Sequence, residues 1–235
     1  MPVVALLPLI FFPLLEISSI KDTSKLYGNE VIFLFMGGFM LGLAIEKWNL
    51  HRRIALSIVN VTGTSSNRIV LGFILATGLL SMWLSNTATT MMMFPIAMSV
   101  ILVMKDNGDE NGNYANFNLC LMLAIAYASN FGGISTIIGT PPNVQFVNYF
   151  EKKYGNIDFM DWMLICTPLA LLLMLALYFV TTRILFPSHI QKSEAAHQHI
   201  QDELKKLGKL SVSEKRVLII FISTALLWIL KDIIN

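Results

Sequence analysis

The chain has 235 residues, 55% of them hydrophobic and only 14% charged, with a mean hydropathy of +0.64. Soluble domains carry about 25% charge, so an ordinary water-soluble globule is excluded and a polytopic, all-α membrane protein is expected. The net charge of +2 gives no reason to expect a nucleic-acid partner, and the two cysteines, Cys120 and Cys166, lie in apolar segments where cysteine behaves as a small hydrophobe.

Residues 2–17 read as a first, proline-interrupted membrane segment. It has no basic n-region and no cleavage site, so it is not a signal peptide. A polar loop is expected over 18–30. Residues 31–45 form a second short span, whose Gly37, Gly38 and Gly42 allow close helix packing. In the following stretch Leu50, Ile54, Ala55, Ile58 and Val59 recur at helical spacing beside His51, Arg52 and Arg53. That pattern suits a helix lying on the membrane surface with Trp48 and the arginines at headgroup level.

Residues 69–104 carry no ionisable side chain and are bounded by Arg68 and Lys105. As one helix these roughly 36 residues would run about 54 Å, well beyond a bilayer core of about 30 Å. They are too few for two full spans. A re-entrant hairpin is left, with the polar run Ser85-Asn86-Thr87-Ala88-Thr89-Thr90 at its centre. Non-helical backbone at that depth survives only where protein or a water-filled cavity satisfies it. A solvated loop follows at 105–116.

Residues 117–150 are again uncharged, interrupted by Gly132-Gly133 and by Gly139-Thr140-Pro141-Pro142-Asn143. Two prolines remove two backbone donors and push the preceding residue out of the helix, so this reads as a membrane helix broken in mid-bilayer and restarted at the prolines. A loop at 151–161, a long span at 162–186, a basic surface segment at 188–213 and the start of another span at 217–230 complete the chain. With the first span running outward, Lys47, Arg52, Arg53, Arg68, Lys105, Arg183, Lys192, Lys205, Lys206, Lys209, Lys215 and Arg216 fall inside. The other five of the 17 basic residues fall outside, as the positive-inside rule requires.

A hard cation such as Na⁺ takes oxygen ligands, which transporters supply from hydroxyls, amides and unwound-helix carbonyls. Ser81 and Ser85 are one helical turn apart, so their hydroxyls can face one point as the helix ends at Asn86, and Gly139 can bring a bare carbonyl there. Asn86, Thr87 and Thr140 can donate to an anion, helped by the helix that begins after the tip. Neither uncharged stretch contains Arg or Lys, so an anion would be neutralised by co-bound Na⁺. The plainer reading is that these hydroxyls back-bond to carbonyls or join helices. Met91, Met92 and Met93 read as packing, His189, His197 and His199 as members of a solvated basic segment, and Asn60-Val61-Thr62 as an incidental sequon on the inner face. Ser81 and Ser85 lack a G-x-S-x-G context and a nearby histidine, and no phosphate-binding or paired metal motif occurs, so an enzyme is not expected.

Three segments, EKWNLHRRIAL (46–56), SMWLSNTATTMMMFPIA (81–97) and GGISTIIGTPPN (132–143), resemble the divalent anion/sodium symporter family, which includes sodium-coupled dicarboxylate and citrate carriers. The resemblance implies a homodimer of scaffold and transport domains, built from two inverted repeats and working as an elevator in the plasma (inner) membrane. It implies a first sodium site at the positions of Ser81, Ser85, Asn86 and Gly139. It also implies substrate-carboxylate contacts from Asn86 and Thr87 with Thr140 close by, and no cofactor beyond Na⁺ as coupling ion. On this reading residues 1–66 belong to the scaffold and 67–186 to the transport part, while 187–235 begin the second repeat. Family members are about twice as long and carry a second Ser-Asn-Thr hairpin, so the chain is expected to cover most of the first repeat. The expected substrate is a C4-dicarboxylate such as succinate. Sulfate transport by the same fold and a non-transporting membrane subunit are the alternatives.

Overall fold

A backbone without water must hydrogen-bond to itself, and the uncharged stretches meet that demand as helices. The computed structural model describes residues 2–28, 30–63, 65–106, 113–155, 157–188, 190 and 194–234; among them every regular element is helical. His189 and Lys192 lie outside the described residues. The chain forms two compact units, residues 1–40 and 41–235.

In the first unit α1 (Pro2–Leu14) is apolar but about 20 Å long, less than a bilayer core. The expected polar loop contains a helix, α2 (Ile20–Tyr27). Ser19 caps it by accepting from Asp22 N at 3.1 Å, while Asp22 and Lys25 complement the two ends of its dipole. A cap and two well-placed charges outweigh a merely polar composition. The boundary between the units falls inside α3 (Glu30–Lys47).

The second unit contains α4 (Leu50–Thr62), α5 (Ser66–Ser81), α6 (Asn86–Asp106), α7 (Tyr114–Ile134) and α8 (Pro141–Tyr154). It continues with α9 (Phe159–Phe179, prolonged by a π-helical turn at Val180–Leu185), α10 (Glu194–Lys206) and α11 (Val212–Ile234). Asn86–Asp106, Tyr114–Ile134 and Phe159–Leu185 are each long and apolar enough to cross a membrane. Much of the loop expected at 151–161 is helical, because α8 runs to Tyr154 and α9 begins at Phe159. His51 is buried, as are Leu50, Ala55, Leu56 and Val59 on the same helix.

The hairpin follows from the contacts. Ser66 at the start of α5 donates to Ile190 O, and Asn116 at the start of α7 donates to Pro187 O, so the two helices begin together. They also end together, since a Cβ on Gly132 of α7 would lie 2.2 Å from Gly78 O of α5. α6 begins beside the end of α7, where Asn86 Nδ2 donates to Asn130 Oδ1, and therefore runs antiparallel to both. The turn itself is Met82–Ser85. The polar run from Asn86 onward forms the first turn of α6 rather than the bend. Phe73, Ile74, Met93, Phe117 and Leu121 are fully buried between these helices.

Arg53 ties α4 to the turn between α10 and α11. Its Nε donates to Glu214 Oε1 at 3.0 Å, and its two terminal nitrogens donate to Gly208 O at 2.9 Å and Leu207 O at 3.0 Å. Glu214 also accepts from Ser211 N at 2.7 Å, and Ser211 Oγ accepts from Glu214 N at 3.1 Å, a reciprocal cap for α11. Burial pushes the Glu214 carboxyl up, but the bonds from Ser211 and Arg53 outweigh it and hold the group below the usual carboxylate range.

Two outcomes are expected. Gly132→Ala forces a Cβ onto Gly78 backbone and should lower stability by about 1–3 kcal/mol, whereas Gly37→Ala, with open space around it, should be neutral or slightly stabilising. Thermal unfolding in detergent measures both. A carboxyl depressed by folding stabilises above its unfolded pKa and loses that contribution as pH falls toward its folded value. Glu214→Gln should therefore lower the unfolding temperature at pH 7 and flatten the decline on acidification.

Candidate functional site

Both membrane breaks begin with a helix that runs out of partners. At the end of α5 the last turn tightens, with Trp83 N and Leu84 N both donating to Leu80 O at 3.1 and 3.0 Å. Ser85 then caps α6, its Oγ accepting from Ala88 N at 3.3 Å. At the end of α7 the chain turns through residues 135–140. Thr140 is extended (φ −150°, ψ 143°) and precedes Pro141 and Pro142 at the first positions of α8. Prolines suit those positions because their missing N–H groups would have no helical partner.

The two breaks satisfy one another. Thr136 Oγ1 donates across to Met82 O in the hairpin turn. Asn143 Nδ2 donates to Gly133 O at 2.9 Å and Thr136 O at 2.8 Å, stitching the start of α8 to the end of α7. Ser81 Oγ lies 2.6 Å from Ser129 O and 2.9 Å from Asn86 Oδ1. Asn86 Nδ2 donates to Asn130 Oδ1 at 3.1 Å. Thr90 Oγ1 lies 2.9 Å from both Asn86 O and Ser129 Oγ.

Two glycines let the segments approach. A Cβ on Gly133 would lie 2.2 Å from Asn86 Oδ1, and one on Gly139 would lie 2.4 Å from Gly133 O. The chain Ser81–Asn86–Gly133–Gly139 is thus continuous. α9 serves as a ruler for its depth. Trp162 Nε1 donates to Ile134 O at 3.0 Å and Thr167 Oγ1 to Ser135 O at 3.4 Å. Trp162 and Thr167 are three and eight residues beyond Phe159, about 4.5 and 12 Å into the stretch Phe159–Leu185, so the break after α7 packs beside the first half of that stretch. Trp83 of the turn is held by Phe159, Phe221 and Trp228, with ring centroids 5.2–6.5 Å away.

Of the residues singled out in the sequence, Ser81 and Asn86 are joined directly, and Gly139 follows through Gly133. Ser81 and Gly139 are buried, Ser85, Asn86 and Thr140 half-buried, and Thr87 exposed. Ser81 and Ser85 do not share a helical face. α5 ends at Ser81, and the Ser85 hydroxyl turns to α6 instead. Among the described residues the Thr87 and Thr140 hydroxyls make no hydrogen bond, which leaves both available at the rim. Sequence reasoning passed over Ser129, Asn130, Thr136 and Asn143. The signal was present as a polar doublet just before Gly132-Gly133 and another just after it.

The electrostatics rest on neutral oxygens. The described residues hold no cluster of His, Cys, Asp and Glu fit for a metal. The Thr89 and Ser135 hydroxyls are buried without a partner at the two breaks, so each keeps unspent oxygen lone pairs there. α6 and α8 both begin here and turn the positive ends of their dipoles toward the junction. Such a site can coordinate a hard monovalent cation and, beside it, accept an anion.

A profile of the citrate transporter family matches residues 1–235. The chain belongs to this family. It is 40% identical over 232 residues to the sodium-dependent dicarboxylate transporter SdcS of Staphylococcus saprophyticus and 39% identical to SdcS of Staphylococcus aureus. These matches cover 97% of the chain and 45% of either relative, so the chain spans a little under half their length. The membership bears out the resemblance seen in the Ser-Asn-Thr and Gly-Thr-Pro-Pro-Asn segments.

Thr136→Val removes the bond between the breaks and leaves the Met82 carbonyl without that donor. It should cost about 1–3 kcal/mol, read as a fall in thermal unfolding temperature with unchanged helical content by circular dichroism.

Proposed function

We propose that this chain supplies one half of a sodium-coupled transporter for small divalent anions, with C4-dicarboxylates such as succinate as the preferred class. The observation that carries the reading is the Asn86 carboxamide. Its oxygen accepts from Ser81 and presses on Gly133, its nitrogen is held by Asn130, and two helices begin around it without a cationic side chain in either broken segment. Na⁺ would take oxygens from Ser81, Ser85, Asn86 and the Gly139 carbonyl, and the substrate carboxylate would meet Asn86, Thr87 and Thr140. The bound ion supplies the positive charge that the protein lacks, so anion binding follows sodium binding. The names of the SdcS relatives, sodium-dependent dicarboxylate transporters, support this choice.

In the same proposal residues 1–66 form scaffold and 67–186 move as the transport part, while 187–235 connect to a second repeat. The assembly is a homodimer in the plasma membrane that works as an elevator.

The test is uptake of labelled succinate into proteoliposomes by the full-length protein that contains this segment. Uptake should need Na⁺, and Asn86→Ala should reduce it at least tenfold while the protein keeps its helical content. Uptake that ignores Na⁺ would refute the coupling, and sulfate entry without succinate entry would refute the substrate class.

A further inference from the structure

The carboxamide of Asn86 has two chemically opposite ends, an acceptor oxygen and a donor nitrogen. A cation at the junction needs the oxygen turned toward it. The neighbours on α5 do not secure that order. Ser81 Oγ has one proton and two oxygens within reach, Ser129 O at 2.6 Å and Asn86 Oδ1 at 2.9 Å. As far as the proton sits on the shorter contact, Ser81 meets Asn86 with a lone pair, which the amide nitrogen would suit better than the oxygen does. Gly133, with no side chain, makes room for either end.

The order is set from α7. Asn130 lies one helical turn beyond Ala126, and its side chain reaches back to Ala126 O at 2.9 Å. A carbonyl only accepts, so the Asn130 atom facing it is Nδ2. Asn130 Oδ1 is thereby turned toward Asn86, 3.1 Å away, where only a donor is tolerated, and that donor is Asn86 Nδ2. Turning Asn86 over would set two carboxamide oxygens against each other. The α7 backbone thus fixes the orientation of a side chain on α6 through a single intermediary.

We infer that Asn130 is a positioning residue for cation binding: anchored on Ala126 O, it holds Asn86 with Oδ1 toward Ser81 and Gly133 and Nδ2 away from them. The inference rests on the sodium site proposed above and adds to it a residue that ligates neither ion nor substrate. Asn86 Nδ2 carries two hydrogens and gives one to Asn130, so the second remains for a substrate carboxylate. One contact therefore assigns the amide oxygen to the cation and the amide hydrogen to the anion. Without it both orders of Asn86 are populated, and the apparent sodium affinity falls by the fraction that keeps the oxygen inward.

The test is the sodium dependence of succinate uptake by the full-length protein in proteoliposomes, with choline chloride replacing sodium chloride at constant ionic strength. Asn130→Leu keeps the size of the side chain and removes both bonds. It should raise the half-saturating Na⁺ concentration about fivefold or more, while the maximal rate at saturating Na⁺ stays within about twofold, because the ion itself draws Asn86 back into order. Asn130 is exposed, so its loss opens no cavity, and the unfolding temperature in choline chloride should not move. Asn130→Asp still accepts from Asn86 Nδ2 and should keep half-saturation at or below the wild-type concentration. Asn130→Ala carries the same prediction as Asn130→Leu and decides the matter should that variant not fold. An unchanged half-saturating Na⁺ concentration with a lower rate or lower stability marks a structural role and overturns the inference, as does an Asn130→Asp shift as large as that of Asn130→Leu. Wild-type uptake without any sodium dependence overturns the site reading and this inference together, whereas a sodium-dependent wild type with unshifted variants overturns this inference alone.

Discussion

The structure depends on one constraint: backbone groups freed where a helix breaks off inside a packed bundle need a protein partner. Each break therefore becomes the other's solvent. Thr136 covers the Met82 carbonyl, Asn143 covers the carbonyls of Gly133 and Thr136, and Ser81 reaches Ser129 O. Glycines at 78, 132, 133 and 139 are what allow this, because a single methyl at most of these points would meet a backbone or amide oxygen at 2.2–2.4 Å. Close approach and mutual satisfaction are the same feature seen sterically and electrostatically.

That arrangement has a chemical consequence. A junction built from hydroxyls, carboxamides and peptide carbonyls, with no ionised group, can be desolvated at little cost, whereas an arginine or aspartate there would carry a heavy burial penalty. Under the proposed function charge enters with the ligands: a monovalent cation and an anion would stabilise each other in a low-dielectric pocket, and such coupling needs no titrating side chain. The ionised clamps, Arg52–Glu203 and Arg53–Glu214, sit instead where α4 meets α10 and α11.

Much of this was legible in the sequence. Residues 69–104 were the wrong length for whole spans, the double proline marked the restart of α8, and the Ser-Asn-Thr run marked the hairpin. The bend was misplaced by a few residues because polarity was read as turn. In fact Asn86 and Thr87 open a helix whose cap is Ser85, and the bend is made by the apolar Met82, Trp83 and Leu84, of which Trp83 packs on Phe159 and Trp228. Ser129 and Asn130 were overlooked because a polar pair inside an apolar helix has no local meaning. Their role is set by Ser81 and Asn86, more than 40 residues earlier. α2 was lost to composition, although Ser19 and Asp22 carry a cap that spacing alone could have revealed.

Thr87 offers the most direct measurement, since it is exposed at the tip while Ser85, Asn86 and Ala88 are half-buried. With Cys120 and Cys166 replaced, a cysteine at this position in the full-length protein can be challenged with a small membrane-impermeant thiol reagent. The account predicts labelling through an aqueous path to mid-membrane, suppressed when Na⁺ and succinate are present together and much less by succinate alone. Labelling that is indifferent to Na⁺, or a site sealed from water in every condition, would contradict it.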